Sequence, residues 1–276
     1  HTNVLCFGQF NGTITTNVTG GTQPYNYLWN NGNNNPNLIN LDAGNYSLTV
    51  TDFNGCQVIV PVPITQPQLL TATTTQSNIS CFGQSTGSID LTMTGGTGPY
   101  VYSWSNNATT QDLAGIPAGN YTATITDANG CITNTTKTIL QNSQIVVGNV
   151  TTNITCNGLS NGAIDITALG GVQPYVFNWS NSATTEDLTG LSTGSYQLTL
   201  LDNLGCNASN SYSYNVSQPT PIALSQTNID IPCNNGTGSI DLTVNGGTPS
   251  YQYVWSNSQT TQDIGNLLAG DYSVTV

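Results

Sequence analysis

The sequence predicts an all-β protein, a tandem array of small antiparallel β-sandwich repeats of about 75 residues each. The first observation is a segment of the form "GGTxPYxYxW", which occurs four times with small variations and ends at Trp29, Trp104, Trp179 and Trp255. These tryptophans follow one another at intervals of 75, 75 and 76 residues, and a fixed period sets the architecture of a chain. The second observation is that short alternating apolar and polar runs lie between Gly, Asn, Asp and Pro clusters, as in β-sandwiches. The third is that no segment has the pattern of an amphipathic helix.

The clearest copy, residues 67–141, divides into six strands, labelled A, B, C, E, F and G as in an immunoglobulin-like sandwich. In order, they are "LLTATTTQSNIS", "GSIDLTMTG", "PYVYSWS", "TTQDL", "NYTATITD" and "ITNTTKTIL". Alternation assigns the faces: Ile89 and Leu91 point to one side of strand B and Asp90 to the other. In strand F, Tyr121 and Ile125 share the apolar face and threonines occupy the opposite one.

Strand C carries aromatic side chains at every second position. In a sandwich of this type the strand C tryptophan packs in the core. We therefore predict that Trp29, Trp104, Trp179 and Trp255 are core residues, and that the first tyrosine of each row is the member most open to solvent.

The E to F connection, "LAGIPAGNY" in the second copy, predicts a tyrosine corner, in which a Tyr hydroxyl bonds back to the backbone of the turn. The four candidates are Tyr46, Tyr121, Tyr196 and Tyr272. A glycine lies two residues before each of them, at Gly44, Gly119, Gly194 and Gly270, where we expect a positive φ. Between strands F and G, the segment "TDANGC" predicts a hairpin turn capped by the Asp side chain and closed by Gly.

Short polar segments around Gln66, Gln141 and Gln218 mark the boundaries between repeats. They define repeat 1 (1–66), repeat 2 (67–141), repeat 3 (142–218) and repeat 4 (219–276). Linkers this short are expected to leave neighbours end to end with limited bending, which predicts an elongated rod.

Seven cysteines follow the same period, at Cys6, Cys56, Cys81, Cys131, Cys156, Cys206 and Cys233. If every strand from B to F reverses direction, the A–B and F–G turns share one end of a repeat. The expected disulfides are then Cys6–Cys56, Cys81–Cys131 and Cys156–Cys206, with the partner of Cys233 beyond the last residue. Two alternatives remain. The cysteines are reduced, or they pair across the linkers as Cys56–Cys81, Cys131–Cys156 and Cys206–Cys233, which follows if a repeat has a seventh strand or if the C to E connection crosses sheets without reversing. Disulfides of either kind indicate a location outside the cytoplasm.

The composition excludes several functions. With Lys137 as its only Lys or Arg and a net charge of -12, the chain lacks the cations that bind nucleic acid or anionic membranes. No apolar run is long enough to insert into a membrane. His1 is the only histidine, so we expect no catalytic residue and no enzyme activity. Asp127 with Asp90 comes nearest to a calcium site, but turn capping accounts for such residues, and we expect no metal and no cofactor.

Three ordered motifs together resemble the SprB-type repeat of very large cell-surface adhesins of gliding Bacteroidota. They are "C-(N/F)-G-x-x-x-G-x-I-(D)", "GGTxPYxYxW" and "L-x-x-L-x-A-G-x-Y-x-x-x-(V/I)-T-D-x-x-G-C", and they recur through nearly the whole chain. Repeat 1 departs from them with Thr15 in place of the Asp, and repeat 4 with "TPSY". The resemblance implies type IX secretion, display as an outer-membrane-attached filament, attachment to surfaces or polysaccharide, and gliding motility.

The leading hypothesis is a non-enzymatic structural and adhesive repeat region whose partners are an extracellular surface or polysaccharide and the neighbouring repeats. In one alternative, the repeats bind carbohydrate through exposed aromatic side chains. In another, they associate laterally through their weakly charged faces.

Overall fold

The structure, a computed structural model, describes residues 1–208, 211–231 and 236–276. All regular secondary structure within these ranges is β-strand, as predicted. The chain divides into two compact units, residues 1–141 and residues 142–276, and each contains two of the predicted repeats. No described residue belongs to a helix capable of crossing a membrane.

The first unit contains eleven strands. In repeat 1 they are β1 (Gly12–Ile14), β2 (Asn26–Trp29), β3 (Leu38–Leu41), β4 (Gly44–Thr51) and β5 (Gln57–Ile64). In repeat 2 they are β6 (Thr71–Ser77), β7 (Gly87–Thr94), β8 (Val101–Trp104), β9 (Leu113–Ile116), β10 (Gly119–Thr126) and β11 (Ile132–Ile139).

The described residues of the second unit also form eleven strands. In repeat 3 they are β12 (Val146–Thr152), β13 (Gly162–Leu169), β14 (Val176–Trp179), β15 (Leu188–Leu191), β16 (Gly194–Leu201) and β17 (Tyr212–Val216). In repeat 4 they are β18 (Ala223–Ile229), β19 (Gly238–Asn245), β20 (Val254–Trp255), β21 (Ile264–Leu267) and β22 (Val274–Thr275).

Each repeat is an immunoglobulin-like sandwich of two antiparallel sheets. In repeat 2, β6, β7 and β9 form the A-B-E sheet, while β8, β10 and β11 form the C-F-G sheet. Repeat 3 has the same order, with β12-β13-β15 in one sheet and β14-β16-β17 in the other. Repeats 1 and 4 contain the corresponding pairings with one two-stranded sheet each. The tandem sandwich architecture predicted from the sequence is therefore confirmed.

Strand E begins later than predicted. Of the segment "TTQDL" only the last residue, Leu113, belongs to a strand, because β9 spans Leu113–Ile116. Its pairing with β7 contains an irregularity next to Gly87, and Gly115 within β9 has φ +66°. The positive φ predicted two residues before the corner tyrosine is therefore wrong for Gly44, Gly119 and Gly270, whereas Gly194 has φ 159°. In repeat 2 the positive φ lies at the bulge residue Gly115, and Gly119 is an extended residue of β10.

Strands C and E of repeat 2 run in the same direction. β8 pairs with the second half of β10, from Val101 opposite Thr126 to Trp104 opposite Ala123. β9 lies in the other sheet and runs towards Gly87 at the start of β7. A Cβ added at Gly87 would lie 2.7 Å from Cγ2 of Ile139, the last residue of β11, so the start of β7 and the end of β11 are close together. The C to E connection therefore changes sheets without reversing, so the A–B and F–G turns lie at opposite ends of the repeat.

Each repeat encloses its own apolar core between its two sheets, and a tryptophan lies in every core. The exposed fractions are 1% for Trp29, 2% for Trp104, 5% for Trp179 and 3% for Trp255. In repeat 2, Trp104 shares the core with Leu91 and Ile125, both fully buried. The strand C row thus faces the interior of each sandwich.

Candidate functional site: the junction between repeats 1 and 2

The aromatic rows are fixed by hydrogen bonds inside each repeat. The Trp104 Nε1–H donates to the carbonyl oxygen of Thr110 at 2.9 Å. The Tyr100 hydroxyl donates to the carbonyl oxygen of Gly95 at 2.7 Å, and Tyr25, Tyr175 and Tyr251 make the equivalent bond. The first tyrosine of the row is not exposed in repeat 2, where Tyr100 and Tyr102 are both half-buried against the core. In repeat 3 it is the most open member, because Tyr175 is half-buried whereas Phe177 and Trp179 are buried. The rows therefore offer little free ring surface for stacking on a sugar.

The four corner tyrosines each donate a hydrogen bond to the carbonyl oxygen four residues earlier. The acceptors are Asp42 for Tyr46 (3.3 Å), Pro117 for Tyr121 (2.8 Å), Ser192 for Tyr196 (3.0 Å) and Leu268 for Tyr272 (3.0 Å). Tyr46 also donates to the Asp42 carboxylate. Burial raises the pKa of Tyr46 to about 12, and the Asp42 carboxylate contributes in the same direction. These tyrosines fix the E to F turn and are structural residues.

Replacing Tyr121 with Phe is expected to destabilise repeat 2 by about 1 kcal/mol, because one buried hydrogen bond is lost while the ring stays. The measurement is hydrogen exchange of the β10 amides, read by mass spectrometry. Tyr102→Phe is the matched control, since the Tyr102 hydroxyl contacts Gln111 at 3.1 Å at an exposed position. Equal acceleration of exchange in the two variants would contradict the tyrosine corner.

Asp127 caps the turn between β10 and β11. Its Oδ1 accepts the backbone N–H groups of Asn129 and Cys131, both at 2.9 Å, and its Oδ2 accepts that of Thr97 at 2.8 Å. Burial alone would raise the pKa of Asp127, but these N–H donors outweigh it and hold the pKa below its ordinary value. Asp52 and Asp202 cap the equivalent turns. The carboxylate joins the F–G turn to the B–C turn.

The unfolding free energy of repeat 2 is expected to fall with acid, because the lowered pKa of Asp127 means that its ionised form stabilises the fold. This contribution is complete above about pH 5. It is lost as the pH falls from the ordinary Asp pKa of about 3.9 to the lower pKa that Asp127 has in the folded protein. Asp127→Asn is expected to cost on the order of 2 kcal/mol at neutral pH and to flatten the acid limb. Denaturant unfolding between pH 2 and pH 7 measures both effects. Asp90→Asn, at an exposed position on β7, is the control, and an equally flattened limb there would contradict the assignment.

A second recurring carboxylate, for which the sequence predicted turn capping or a solvated face, binds the backbone of strand B. Asp112 Oδ1 accepts the backbone N–H of Leu91 at 2.9 Å, and Asp187 and Asp263 make the same bond to Ile166 and Leu242. The sequence signal for this bond is that an Asp recurs at the same position of repeats 2, 3 and 4. Among the described residues, no three His, Cys, Asp or Glu side chains gather as a metal site would require.

The predicted disulfides are wrong. Cys6 is bonded to Cys131, at a Cα–Cα distance of 5.7 Å and a sequence separation of 125 residues. This bond excludes Cys6–Cys56 and Cys81–Cys131, and the free thiol of Cys156 excludes Cys156–Cys206. Cys56 is also free, so pairing as Cys56–Cys81 or Cys131–Cys156 is excluded as well. Cys81 and Cys206 are disulfide-bonded, and Cys233 lies outside the described residues.

The strand directions explain this pairing. Because C and E run the same way, the A–B loop of repeat 1 lies at the end that meets repeat 2, and there it faces the F–G turn of repeat 2. Cys6 lies in that loop and Cys131 in that turn. The Asn129 Nδ2–H donates to the Leu5 carbonyl oxygen at 2.9 Å and to Thr97 Oγ1 at 3.1 Å, which adds a polar contact beside the disulfide.

The linker is also held by the A–B loop. The Gly8 N–H donates to Gln66 Oε1 at 2.8 Å, and the Thr65 N–H donates to Asn3 Oδ1 at 3.0 Å. The same two bonds recur as Gly83 to Gln141 and Leu140 to Asn78, and again as Gly158 to Gln218 and Ser217 to Asn153. The linker glutamines, which the sequence identified only as boundary markers, are structural parts of each repeat.

These features define a class of protein: a tandem array of immunoglobulin-like sandwiches in which a disulfide joins neighbouring repeats. The sequence profile of the SprB repeat matches four segments, residues 1–34, 73–109, 148–184 and 225–260, which together make up just over half of the chain. The chain belongs to the SprB repeat family. SprB repeats belong to extracellular surface proteins, and disulfides fit a location outside the cytoplasm, so the chain is a repeat region of surface-adhesin type. Repeats of this family are typically non-enzymatic.

A comparison with curated proteins found no match. Among solved structures, immunoglobulin domains 1–5 of Sidekick-1 are similar at 12% identity and a TM-score of 0.36, over 91% of this chain and 66% of that one. The N-terminal eight Ig domains of Down Syndrome Cell Adhesion Molecule are similar at 8% identity and a TM-score of 0.34, over 92% of this chain and 51% of that one. The chain thus spans between half and two thirds of the length of these two structures.

Proposed function

We propose that this chain is the structural part of an adhesive filament that holds an attachment region away from the outer membrane. The observation that carries the proposal is the Cys6–Cys131 disulfide, which links two adjacent repeats. A filament that attaches a cell to a surface bears tension along its length. A covalent bond across a junction keeps the two repeats joined even when one of the small cores opens.

The family resemblance supports the finer parts of the proposal. These are export by the type IX route, anchoring at the outer membrane, attachment to a surface or polysaccharide, and a contribution to gliding motility. The working units are repeats 1 to 4 with the limits given above, and the division of the chain after Gln141 agrees with one of those limits. Lateral association with neighbouring filaments is a further part of the proposal, supported by the low content of charged residues, 5%.

The test uses intact cells that produce the protein. Antibody fragments raised against the repeats are expected to label the cells without permeabilisation, and to reduce their attachment to glass and to polysaccharide-coated surfaces. Fragments against an unrelated surface protein are the control. Labelling that requires permeabilisation, or attachment that is unchanged under saturating label, would contradict the proposal. Sedimentation velocity of the purified chain over a concentration series tests lateral association separately.

The mechanical part of the proposal can be tested on the chain itself by force spectroscopy. With the disulfide closed, the residues between Cys6 and Cys131 cannot extend, and reduction is expected to release roughly 40 nm of additional contour length, at about 3.5 Å per residue. Cys56→Ser, which removes a free thiol, is expected to leave the extension unchanged. No gain in extension after reduction would contradict a covalent junction that resists tension.

A further inference from the structure

A cleft of about 370 Å³ lies at the junction between repeats 1 and 2. One wall is the start of the A–B loop of repeat 1 together with the linker at Thr65–Pro67, and the other wall is formed by Thr97 and Asn129 of repeat 2. Both walls belong to the first compact unit. Small-ligand sites in proteins occupy roughly 300 to 1,000 Å³, so the cleft is large enough to admit a small ligand.

The backbone at the rim of the cleft is paired as it is in the second repeat. Thr2 pairs with Thr13, and Ser77 pairs with Ser88 at the end of β6 in the same way. The Thr2 N–H donates to the Thr13 carbonyl oxygen at 2.8 Å, and the Thr13 N–H donates back at 3.1 Å. This side of the cleft is therefore part of the sandwich of repeat 1.

The two walls are held together across the junction. The Asn129 Nδ2–H donates to the Leu5 carbonyl oxygen and to Thr97 Oγ1, so one side chain joins both walls. The disulfide between Cys6 and Cys131 lies next to this contact in the sequence of both repeats. A site that is formed before its ligand arrives loses less conformational entropy on binding. The cleft is preformed in this sense.

Three primary amides line the cleft, and each is fixed at one of its two ends. Asn3 Oδ1 accepts the Thr65 N–H at 3.0 Å, Gln66 Oε1 accepts the Gly8 N–H at 2.8 Å, and Asn129 is held through Nδ2. Among the described residues, the opposite ends, Asn3 Nδ2, Gln66 Nε2 and Asn129 Oδ1, have no hydrogen-bond partner. The cleft thus presents two amide donors and one carbonyl acceptor at fixed positions.

The remaining lining is uncharged. Thr2, Thr65 and Thr97 contribute hydroxyl groups, while Leu5, which is 50% exposed, and Pro67 contribute apolar surface. A neutral sugar has hydroxyl groups that donate and accept, and C–H faces that pack on apolar side chains. A polyanion would meet no cation in the cleft and would be repelled by the net charge of -12. The chemistry of the cleft therefore matches a neutral saccharide.

We propose that this junction cleft binds a neutral saccharide through the free amide ends of Asn3, Gln66 and Asn129. Asn3 and Gln66 donate to the ring and glycosidic oxygens, which can only accept, and Asn129 accepts from a sugar hydroxyl. Leu5 and Pro67 contact a C–H face of the sugar. The proposal rests on the attachment function proposed above, and it assigns the binding to a junction between repeats and not to the aromatic rows.

The test is an NMR titration of the whole chain, labelled with ¹⁵N, with three neutral probes: maltotetraose, cellotetraose and mannotetraose. Tetragalacturonate, which has the same length and carries carboxylates, is the anionic comparison. With at least one neutral probe we expect saturable shifts of the Asn3 and Gln66 side-chain NH₂ signals and of the Leu5 amide, with a Kd on the order of 1 mM. We expect no saturable shift with tetragalacturonate.

Two outcomes of the titration would overturn the proposal. One is that none of the neutral probes shifts these signals, or that the shifts lie in the aromatic rows, for example around Tyr102. The other is that tetragalacturonate shifts the same signals as strongly as the neutral probes do, since the cleft would then not select an uncharged ligand.

Gln66→Glu separates binding from structure. The new carboxylate still accepts the Gly8 N–H, but its second oxygen cannot donate to a sugar, so we expect affinity to fall about ten-fold, the equivalent of one hydrogen bond. Gln9→Glu is the matched control, because Gln9 lies in the same A–B loop, is exposed and does not line the cleft. Equal affinities in the two variants would contradict the proposal. If Gln66→Glu fails to form the Cys6–Cys131 disulfide, Asn3→Asp makes the same exchange of donor for acceptor and decides.

The titration and the test on intact cells fail independently. If antibody fragments block attachment but the purified chain binds none of the neutral probes, the saccharide site is overturned and the filament function stands. If the cleft binds a neutral probe but attachment is unchanged under saturating label, the filament function is overturned and the site remains.

Discussion

Replacing Trp104 with Ala is expected to remove about 4 kcal/mol from the unfolding free energy of repeat 2. The indole is 2% exposed, it fills the space between the two sheets against Leu91 and Ile125, and its N–H donates to the Thr110 carbonyl oxygen. A repeat of 75 residues has an unfolding free energy of roughly 4 to 11 kcal/mol, so the loss caused by one cavity of this size is a large part of it. Hydrogen exchange of the β7 and β10 amides is expected to accelerate about a thousand-fold.

Val101 on the same strand provides the control, because it points away from the core and is 67% exposed. Val101→Ala is expected to change exchange in repeat 2 by less than about three-fold. Exchange in repeat 3, which has its own core around Trp179, is expected to be unaffected by either substitution. Trp104→Ala that leaves β10 as protected as Val101→Ala would mean that the indole is not an essential part of this core.

The repeat period and the alternation of side chains were sufficient to predict the sandwich and its faces. Every second residue of a strand points to the same side, so Ile89, Leu91 and Ile125 could be assigned to the interior from their spacing alone. Strand direction was not predictable in this way, because alternation is the same whichever way a strand runs. Strand C ends at Trp104 and strand E begins at Leu113. Whether the chain reverses its direction between them depends on how the intervening loop crosses from one sheet to the other.

That one connection decided the disulfides. A reversing C to E connection places Cys81 and Cys131 at one end of repeat 2, whereas the observed one places them at opposite ends. The spacing of the cysteines could not distinguish these cases, because they recur with the period of the repeats and either pairing is equally regular. The linker contacts of Gln66 and Asn3 were also not predicted. A polar residue near a repeat boundary is expected to face solvent, and only the fold shows that a backbone N–H lies within hydrogen-bond distance of these two side chains.

The pairing across the junction changes what removal of a disulfide does. Replacing both Cys6 and Cys131 with Ser is expected to destabilise repeats 1 and 2 together by about 5 kcal/mol, from the chain entropy of a closed loop of 125 residues. If either repeat unfolds alone, the other still holds its end of the bond, so the remaining loop of about half that length is worth about 4 kcal/mol. The bond therefore protects each repeat separately, although the two effects do not add. Disulfides within each repeat would instead act independently.

Hydrogen exchange resolves these cases, because peptides from β4 and β10 report on repeat 1 and repeat 2 in one experiment. The Cys6→Ser, Cys131→Ser variant is expected to lose protection in both repeats, by a factor on the order of a thousand. The control is Cys56→Ser, Cys156→Ser, which removes the same number of cysteines but only free, exposed thiols, and it is expected to exchange like the unmodified chain. Loss of protection confined to one repeat, or equal loss in the control, would contradict a covalent junction between repeats 1 and 2. Loss in both repeats would mean that the junction, and not the single sandwich, is the unit whose stability the cysteines maintain.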